Sequence, residues 1–151
     1  MLPTPKKYMV TAAGAEGTSK LNAFDNALLQ AGIGNINLIR VSSILPPDAE
    51  FDADLRFPLG ALVPTAYGSI TSDIPGELIA AAVGVAVSET FGVIMEFAGK
   101  CSGQEAHAAV SGMLDEAFAT RGLKIVERKI AACEHRVNQV GCCLAAVPLW
   151  Y

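Results

Sequence analysis

Short apolar stretches separated by turn residues dominate the chain, and they predict a predominance of strands. The strand-like segments are Tyr8 to Ala13, "NINLIRVSS", "GALVPTAYGSITSD", "ELIAAAVGVAVSE", "TFGVIMEFAGK", "KIVERKIAACEHRV" and "GCCLAAVPLWY". The last two are joined through "NQVG". The segment "ELIAAAVGVAVSE" is ambiguous, because its alanines favour a helix, whereas Val83, Val85 and Val87 alternate around a glycine. The alternation favours a strand.

After the loop "GAEGTSK", the apolar residues of the segment "KLNAFDNALLQAG" have the spacing of a helix. Ser19 is placed to cap this helix, and Gly32 marks its predicted end. Asp25 lies off the apolar stripe or at its edge. The stripe itself consists of Leu21, Phe24, Leu28 and Leu29.

The clearest helix is "SGQEAHAAVSGMLDEAFATRG", which has Ser102 as its cap, Glu105 three residues later and Gly122 at its end. The stretch rich in Pro, Asp and Ala that runs to Pro58 is predicted to be a loop, and Pro64 is expected at a strand edge or bulge. Amphipathic helices and strands that are apolar on both faces predict an α+β sandwich with layers in the order helix, sheet, sheet, helix.

Composition limits the classes of protein. A chain of 151 residues fits one domain. A hydrophobic fraction of 52%, a charged fraction of 17% and a mean hydropathy of +0.39 favour a homo-oligomer, because one small domain cannot bury that much apolar surface. The net charge of −4, without a basic block, argues against a nucleic-acid partner. No apolar run is long enough to span a bilayer and "MLPTPKKYMV" lacks the apolar core of a signal peptide, so we expect a cytoplasmic protein without a membrane partner.

The reactive side chains match no common catalytic or metal-binding pattern. The four cysteines and the two histidines lack zinc-site spacing, and the cysteines are expected to be buried thiols in a reducing compartment. His107 and His135 are expected to be surface or hydrogen-bonded polar residues. The chain contains no G-x-S-x-G, P-loop or H-E-x-x-H motif.

The segment "RVSSILPP" ends an apolar run with two serines, Ser42 and Ser43, and two prolines follow. Prolines restrict the preceding backbone and stiffen the segment that leaves the strand. A serine peptide held between a rigid sheet and a rigid loop is suited to attack by the hydroxyl on the preceding carbonyl. The serine pair is therefore a candidate for self-cleavage.

Four blocks resemble the pyruvoyl-dependent arginine decarboxylases of archaea and some bacteria. They are "LNAFDNALLQAGIGNINLIRVSSILPPDAE", "GALVPTAYGSITSDIPGE", "GVIMEFAGKCS" and "EHRVNQVGCCLAAVPLWY", and together they extend over nearly the whole chain from about Leu21 to Tyr151. The resemblance implies cleavage between Ser42 and Ser43. It predicts a first chain of residues 1–42 and a second chain of residues 43–151, in which Ser43 becomes a pyruvoyl group.

The resemblance also implies the reaction, in which L-arginine is converted to agmatine and CO₂. Attack of Ser43 on the Ser42 carbonyl gives an ester, elimination releases the Ser42 carboxylate, and loss of ammonia leaves a ketone. That ketone would form a Schiff base with the substrate amine and accept the electrons left when CO₂ departs. Neither PLP nor a metal is implied, and the family is trimeric.

Site residues are carried over position by position. Asn37 matches an asparagine that assists self-cleavage, and Glu96 matches the proton donor. A carboxylate between Met95 and Phe97 is also expected to be desolvated, which would raise its pKa. Asp25 matches a carboxylate that faces the substrate guanidinium. The other substrate-binding positions implied are Leu21, Gly34 and Ile36.

Two alternatives stay open from the sequence. The same chemistry would serve another amino acid, because a pyruvoyl group is indifferent to the side chain. An uncleaved trimeric binding protein of the same fold is the alternative outside enzymes. The role of the product, in polyamine synthesis or in acid resistance, is open as well.

Overall fold

A computed structural model describes residues 1–42 and 44–151. The two helices are α1 (Lys20–Gln30) and α2 (Gly103–Arg121). The strands are β1 (Lys7–Tyr8), β2 (Thr11–Glu16), β3 (Asn37–Arg40), β4 (Ile44–Leu45), β5 (Glu50–Phe51), β6 (Leu62–Ser72), β7 (Leu78–Val87), β8 (Gly92–Gly99), β9 (Glu127–Arg136) and β10 (Gly141–Trp150). Within the described residues, no helix is long and apolar enough to cross a membrane.

The strands form two sheets. The larger sheet has the order β3-β6-β10-β1-β5, with β2 also paired to β10, and the smaller has the order β4-β8-β7-β9. Most neighbours are antiparallel, whereas β3 runs parallel to β6 and β1 parallel to β5. The segment "ELIAAAVGVAVSE" is a strand, β7, as its alternation predicts, and it is buried on both faces.

Three apolar layers hold the sheets and helices together. The central layer lies between the two sheets, and one outer layer joins each helix to its own sheet. Helix α1 covers the larger sheet through residues such as Ala27 and Leu28, and α2 covers the smaller sheet through Val110 and Leu114. The predicted layer order of helix, sheet, sheet, helix is confirmed.

Both predicted helix caps are present. The Ser19 side chain accepts a hydrogen bond from the backbone of Asn22, and Ser102 forms a capping box with Glu105. Gly122 ends α2 in the left-handed conformation, with φ of 66°. Helix α1 ends slightly earlier than predicted, at Gln30, and Gly32 follows with φ of 83°.

The prediction of a single strand followed by a loop at the N-terminus was wrong. Two strands occupy this segment, and β2 continues through Gly14 to Glu16 because it pairs with β10 along its whole length. Glu16 is held there by the turn between β9 and β10, since its carboxylate accepts hydrogen bonds from the backbone of Gln139, Asn138 and Val140.

The segment before Pro58 is not entirely loop, because it contains the short strands β4 and β5. Each has two residues and depends on a partner that is not its neighbour in sequence: β4 pairs with β8, and β5 pairs with β1. Pro64 lies inside β6, one residue beyond Thr65, the last β6 residue paired with β10. It therefore stands where the sheet narrows, in agreement with the predicted edge position.

Candidate active site

The chain crosses from one sheet to the other between Arg40 and Ile44. Strand β3 ends the larger sheet at Arg40, and β4 begins the edge of the smaller sheet at Ile44. Ser42 is exposed on this crossover, and Ser43 lies outside the described residues. A cavity of about 330 Å³ borders it, lined by Leu2, Pro3, Pro5, Val41, Ser42, Ile44, Pro46, Pro64, Leu149 and Tyr151. Ser42 thus follows the edge strand of the larger sheet and precedes the edge strand of the smaller one.

Glu96 lies on β8, and its side chain points into the space between the sheets. Its neighbours two residues away, Ile94 and Ala98, belong to the central apolar layer. Opposite it is Gly68 of β6, where an added Cβ would lie 3.3 Å from both Cβ and Cγ of Glu96. A side chain at Gly68 would therefore require Glu96 to shift by a few tenths of an ångström.

Burial raises the pKa of Glu96, as the sequence predicted, while the nearby Arg40 charge acts in the opposite direction. The reason differs from the one that the sequence suggested. Met95 and Phe97 pack in the α2 layer, on the other face of the strand. The desolvation of Glu96 therefore comes from the facing sheet, because side chains alternate along a strand.

Arg40 is a site residue that sequence reasoning missed. Its Nη2 donates a hydrogen bond to the Tyr67 carbonyl oxygen at 2.5 Å, and its guanidinium carbon lies 4.4 Å from the centre of the Tyr67 ring. The position of Arg40 two residues before Ser42 was the available signal. A lone arginine at the end of a strand has many uses, so the sequence alone gave it no function.

Asn37 is the first residue of β3, at the end of the strand opposite to the serines. Its side-chain amide donates to the Gly60 carbonyl oxygen at 2.9 Å. The Asn37 N–H donates a hydrogen bond to the Ala61 carbonyl, and the Val41 N–H donates one to the Thr65 carbonyl. The chain therefore runs along β6 from Asn37 to Val41. Four strand residues span about 13 Å, which places the amide beyond hydrogen-bonding reach of Ser42 in the same chain.

Leu21 and Asp25 lie on one exposed row of α1, which Leu29 continues at the same four-residue spacing. Leu21 is 76% exposed and Leu29 is 47% exposed. The helix buries a different face, with Ala23 and Ala27 against the larger sheet. The row is therefore an apolar surface with one carboxylate at its centre.

Gly34 and Ile36 lie in the loop after α1, beside this row. They line a cavity of about 410 Å³ together with Met9, Leu29, Gly32, Ile33, Asn35, Ala53, Asp54, Leu55, Arg56, Phe57 and Leu59. A Cβ on Gly34 would lie 2.5 Å from Leu29 Cδ2 and 2.8 Å from Leu29 Cα. The absence of a side chain at Gly34 lets the loop close against the helix.

The predicted site residues do not gather at one place in one chain. Asn37 begins β3, and Gly34 and Ile36 precede it, whereas Ser42 follows its end. Glu96 lies on β8, the strand that pairs with β4 after the crossover. Asp25 lies on α1, next to Phe24, whose ring is 6.4 Å from that of Tyr67.

The remaining reactive side chains have structural partners or lie on the surface. His135 Nε2 lies 2.5 Å from Glu16 Oε2, and His107 is exposed on α2. Cys142 is buried, and burial raises the pKa of its thiol to about 12. Among residues 1–42 and 44–151, no cluster of His, Cys, Asp and Glu is arranged to hold a metal ion.

The family match and the similar proteins all carry the same family name. The family described as pyruvoyl-dependent arginine decarboxylase matches residues 7–151. A protein of that name from Methanocaldococcus jannaschii is 50% identical, over 97% of this chain and 91% of its own length. Its namesake from Pyrococcus horikoshii is 48% identical, over 90% of this chain and 89% of its own length. The one from Thermococcus kodakarensis is 43% identical, over 98% of this chain and 96% of its own length.

Among solved structures, a pyruvoyl-dependent histidine decarboxylase superposes with a TM-score of 0.48 at 13% identity. The match covers 60% of this chain and 51% of that chain.

Proposed function

The chain belongs to the family of pyruvoyl-dependent arginine decarboxylases, and we propose that it cleaves itself between Ser42 and Ser43 and converts L-arginine to agmatine and CO₂. The products of cleavage are residues 1–42 and residues 43–151 of a single domain, with the pyruvoyl group at position 43. The observation that carries the proposal is the exposed Ser42 on the crossover between two sheets, where the chain next pairs with β8, the strand that carries the half-buried Glu96.

The residues at the crossover fit such a group. The group is made from the serine of the chain itself, so it needs neither a phosphate-binding loop nor a lysine. The ketone supplies an electron sink for the bond that breaks when CO₂ leaves. Glu96 then gives its proton to the substrate α-carbon. Its raised pKa suits this task, because a carboxylic acid must keep its proton near neutral pH to donate it.

Asp25 is proposed to bind the substrate guanidinium. A carboxylate accepts two parallel hydrogen bonds from the planar guanidinium, whereas an ammonium group cannot offer that geometry. The exposed leucines on either side of Asp25, Leu21 and Leu29, would pack along the aliphatic part of the substrate. Gly34 and Ile36 extend this surface into the cavity of about 410 Å³.

A second copy of the chain is proposed to complete the site, in a trimer of cleaved protomers. Two observations support this arrangement. In one chain, Asn37 begins β3 and Gly34 precedes it, whereas Ser42 follows the end of the strand. Large apolar side chains near Asn37 are also exposed, Leu59 at 85% and Leu62 at 64%. Asn37 would then assist cleavage in a neighbouring protomer, since it cannot reach Ser42 of its own chain.

The test combines intact mass with a decarboxylation assay. The purified protein should give two masses, for chains of 42 and 109 residues, and release ¹⁴CO₂ from L-[1-¹⁴C]arginine faster than from lysine or ornithine. The Ser43→Ala variant should give one uncut chain without activity. A single uncut parent chain would support the trimeric binding protein, and equal rates on the three amino acids would reopen the substrate. Light scattering in solution tests the trimer, and a cytoplasmic location stays a prediction.

A further inference from the structure

The end of β3 is fixed by a side chain. Along the edge of β6 that faces β3, the Ala61 and Thr65 carbonyls accept the backbone N–H groups of Asn37 and Val41. The Tyr67 carbonyl is two residues further along this edge, and it accepts a hydrogen bond from Arg40 Nη2 at 2.5 Å. The guanidinium also stacks on the Tyr67 ring, at 4.4 Å. Arg40 is therefore held at the position where the chain leaves the sheet.

This anchoring fixes a cation at the edge of β6, beside the residue that Glu96 covers. The Tyr67 ring packs on the α1 side of the sheet, whereas Glu96 lies over Gly68, the next residue, on the central side. The Arg40 guanidinium is bonded to the Tyr67 carbonyl between these two faces. Within the part of the chain that the structure describes, Arg40 forms no ion pair with a carboxylate. Its two contacts there, with the Tyr67 carbonyl and with the Tyr67 ring, are both to neutral groups. The charge of Arg40 therefore remains available to a group that becomes negative nearby.

The other elements packed around Glu96 contribute no competing charge among the described residues. On β7 its paired residue is Val83, and β4 contributes Ile44 and Leu45. Across the central layer, β6 contributes Ala66 and Ile70, and β10 contributes Cys143, Ala145 and Val147, of which only the buried Cys143 thiol can titrate. Arg40 is the one charged side chain that acts appreciably on the pKa of Glu96, and it opposes the increase that burial causes.

We propose that Arg40 is a positioning residue for proton transfer, whose guanidinium, fixed on Tyr67, stabilises the carboxylate that Glu96 becomes when it donates its proton. This inference rests on the proposed function, because it assumes that Glu96 is the donor. In the step concerned, the Glu96 O–H bond breaks and the proton forms a C–H bond with the substrate α-carbon, so one negative charge moves onto Glu96. A fixed cation that is ready before the reaction lowers the energy of that charge without reorganising.

Arg40→Gln tests the role of the charge, and Arg40→Lys keeps the charge while losing the planar fork. Arg136→Gln is a matched control, because Arg136 also donates to a backbone carbonyl, that of Gly76 at 2.8 Å, and it lies on the opposite edge of the smaller sheet. We expect Arg40→Gln to lower kcat for arginine about tenfold, the order expected from one lost charge interaction near a reacting group. Arg40→Lys should recover part of this loss.

The pH–rate profile separates this role from a structural one. The donor works in its protonated form, so kcat falls as pH rises through the pKa of Glu96. Removing Arg40 raises that pKa, and the high-pH limb of kcat should move to higher pH in Arg40→Gln but not in Arg136→Gln. A damaged fold or assembly would lower kcat without moving this limb.

A titration that needs no turnover provides the second measurement. Carboxyl ¹³C NMR of protein labelled at glutamate, with the Glu96 signal assigned by its loss in Glu96→Gln, reads the pKa directly and also works on an uncleaved chain. An increase in Arg40→Gln, with little change in Arg40→Lys, supports the proposal. An unchanged Glu96 titration overturns it, as does an unmoved pH limb. Full activity in Glu96→Gln would instead refute the donor assignment, and with it the proposed mechanism.

Discussion

Substitution of Gly34 by alanine should weaken both the fold and substrate binding. Gly34 does not have a positive φ, so the restriction is steric. A Cβ there would lie 2.5 Å from Leu29 Cδ2, about 0.9 Å inside the 3.4 Å at which ordinary contact begins. The Leu29 side chain is 47% exposed and can move, but its Cα, at 2.8 Å, belongs to α1 and cannot move alone. The loop must therefore separate from the helix.

Overpacking of this kind costs about 1–3 kcal/mol. For a chain of this size, each kcal/mol lowers Tm by about 2–4 °C. Because Gly34 and Ile36 line the same cavity, we also expect a higher KM for arginine with a smaller change in kcat. Calorimetry of the Ser43→Ala chain, which avoids differences in cleavage, and steady-state kinetics of the cleaved enzyme measure the two effects.

Two variants serve as controls for this prediction. Gly112→Ala, in α2, meets nothing within 4 Å and should stabilise the helix by about 0.5–1 kcal/mol. The double variant Gly34→Ala, Leu29→Ala removes the clash with the side chain but keeps the one with Cα, so it should recover part of the lost Tm. If Gly34→Ala had the parental Tm and KM, the close contact between loop and helix would not be what shapes the cavity.

Three further predictions concern single carboxylates. Glu96→Gln should still cleave itself but lose turnover by on the order of 10²–10⁴, the usual contribution of a general acid, and a parental rate would contradict its role. Asp25→Asn should lower kcat/KM for arginine by on the order of 10²-fold while changing that for lysine much less, and an unchanged preference in steady-state kinetics would place the specificity elsewhere. Burial opposes any decrease in the pKa of Glu16, but hydrogen bonds from His135, Gln139 and Asn138 outweigh it and lower that pKa. The ionised Glu16 therefore contributes its full stabilisation when the pH is above the ordinary glutamate pKa of 4.5, and this contribution is lost as the pH falls below that value. Glu16→Gln should lower the urea midpoint of unfolding at pH 7 but not at pH 3. An equal decrease of the midpoint at both pH values would exclude this linkage.

Local signals predicted the elements whose stability is local. The caps at Ser19 and Ser102 and the left-handed Gly122 depend on residues within one helical turn, and all were confirmed. The alternation of β7 was also sufficient, because a strand buried on both faces needs apolar residues throughout. Resemblance to the family identified the serine pair, and the comparisons confirmed the family.

Pairing between distant segments decided the elements that the sequence missed. The two-residue strands β4 and β5 have no periodicity of their own and exist because β8 and β1 offer free edges. The short connection between β9 and β10 is another example, because the two strands lie in different sheets and face each other across the central layer. A turn sequence determines where the chain reverses, but the packing of both strands determines whether they become partners.

The family, the alternation that builds two sheets and the carboxylic acid in an apolar strand could all be read from the residues alone. The folded structure was needed to show what desolvates that acid, since the residues beside Glu96 in sequence point away from it and Gly68 of the other sheet lies against it. It also decided that Arg40 lies near Glu96 and that Asn37 is far from Ser42. The physical reason is that burial and charge depend on distance in space, which the order of residues along a chain does not contain.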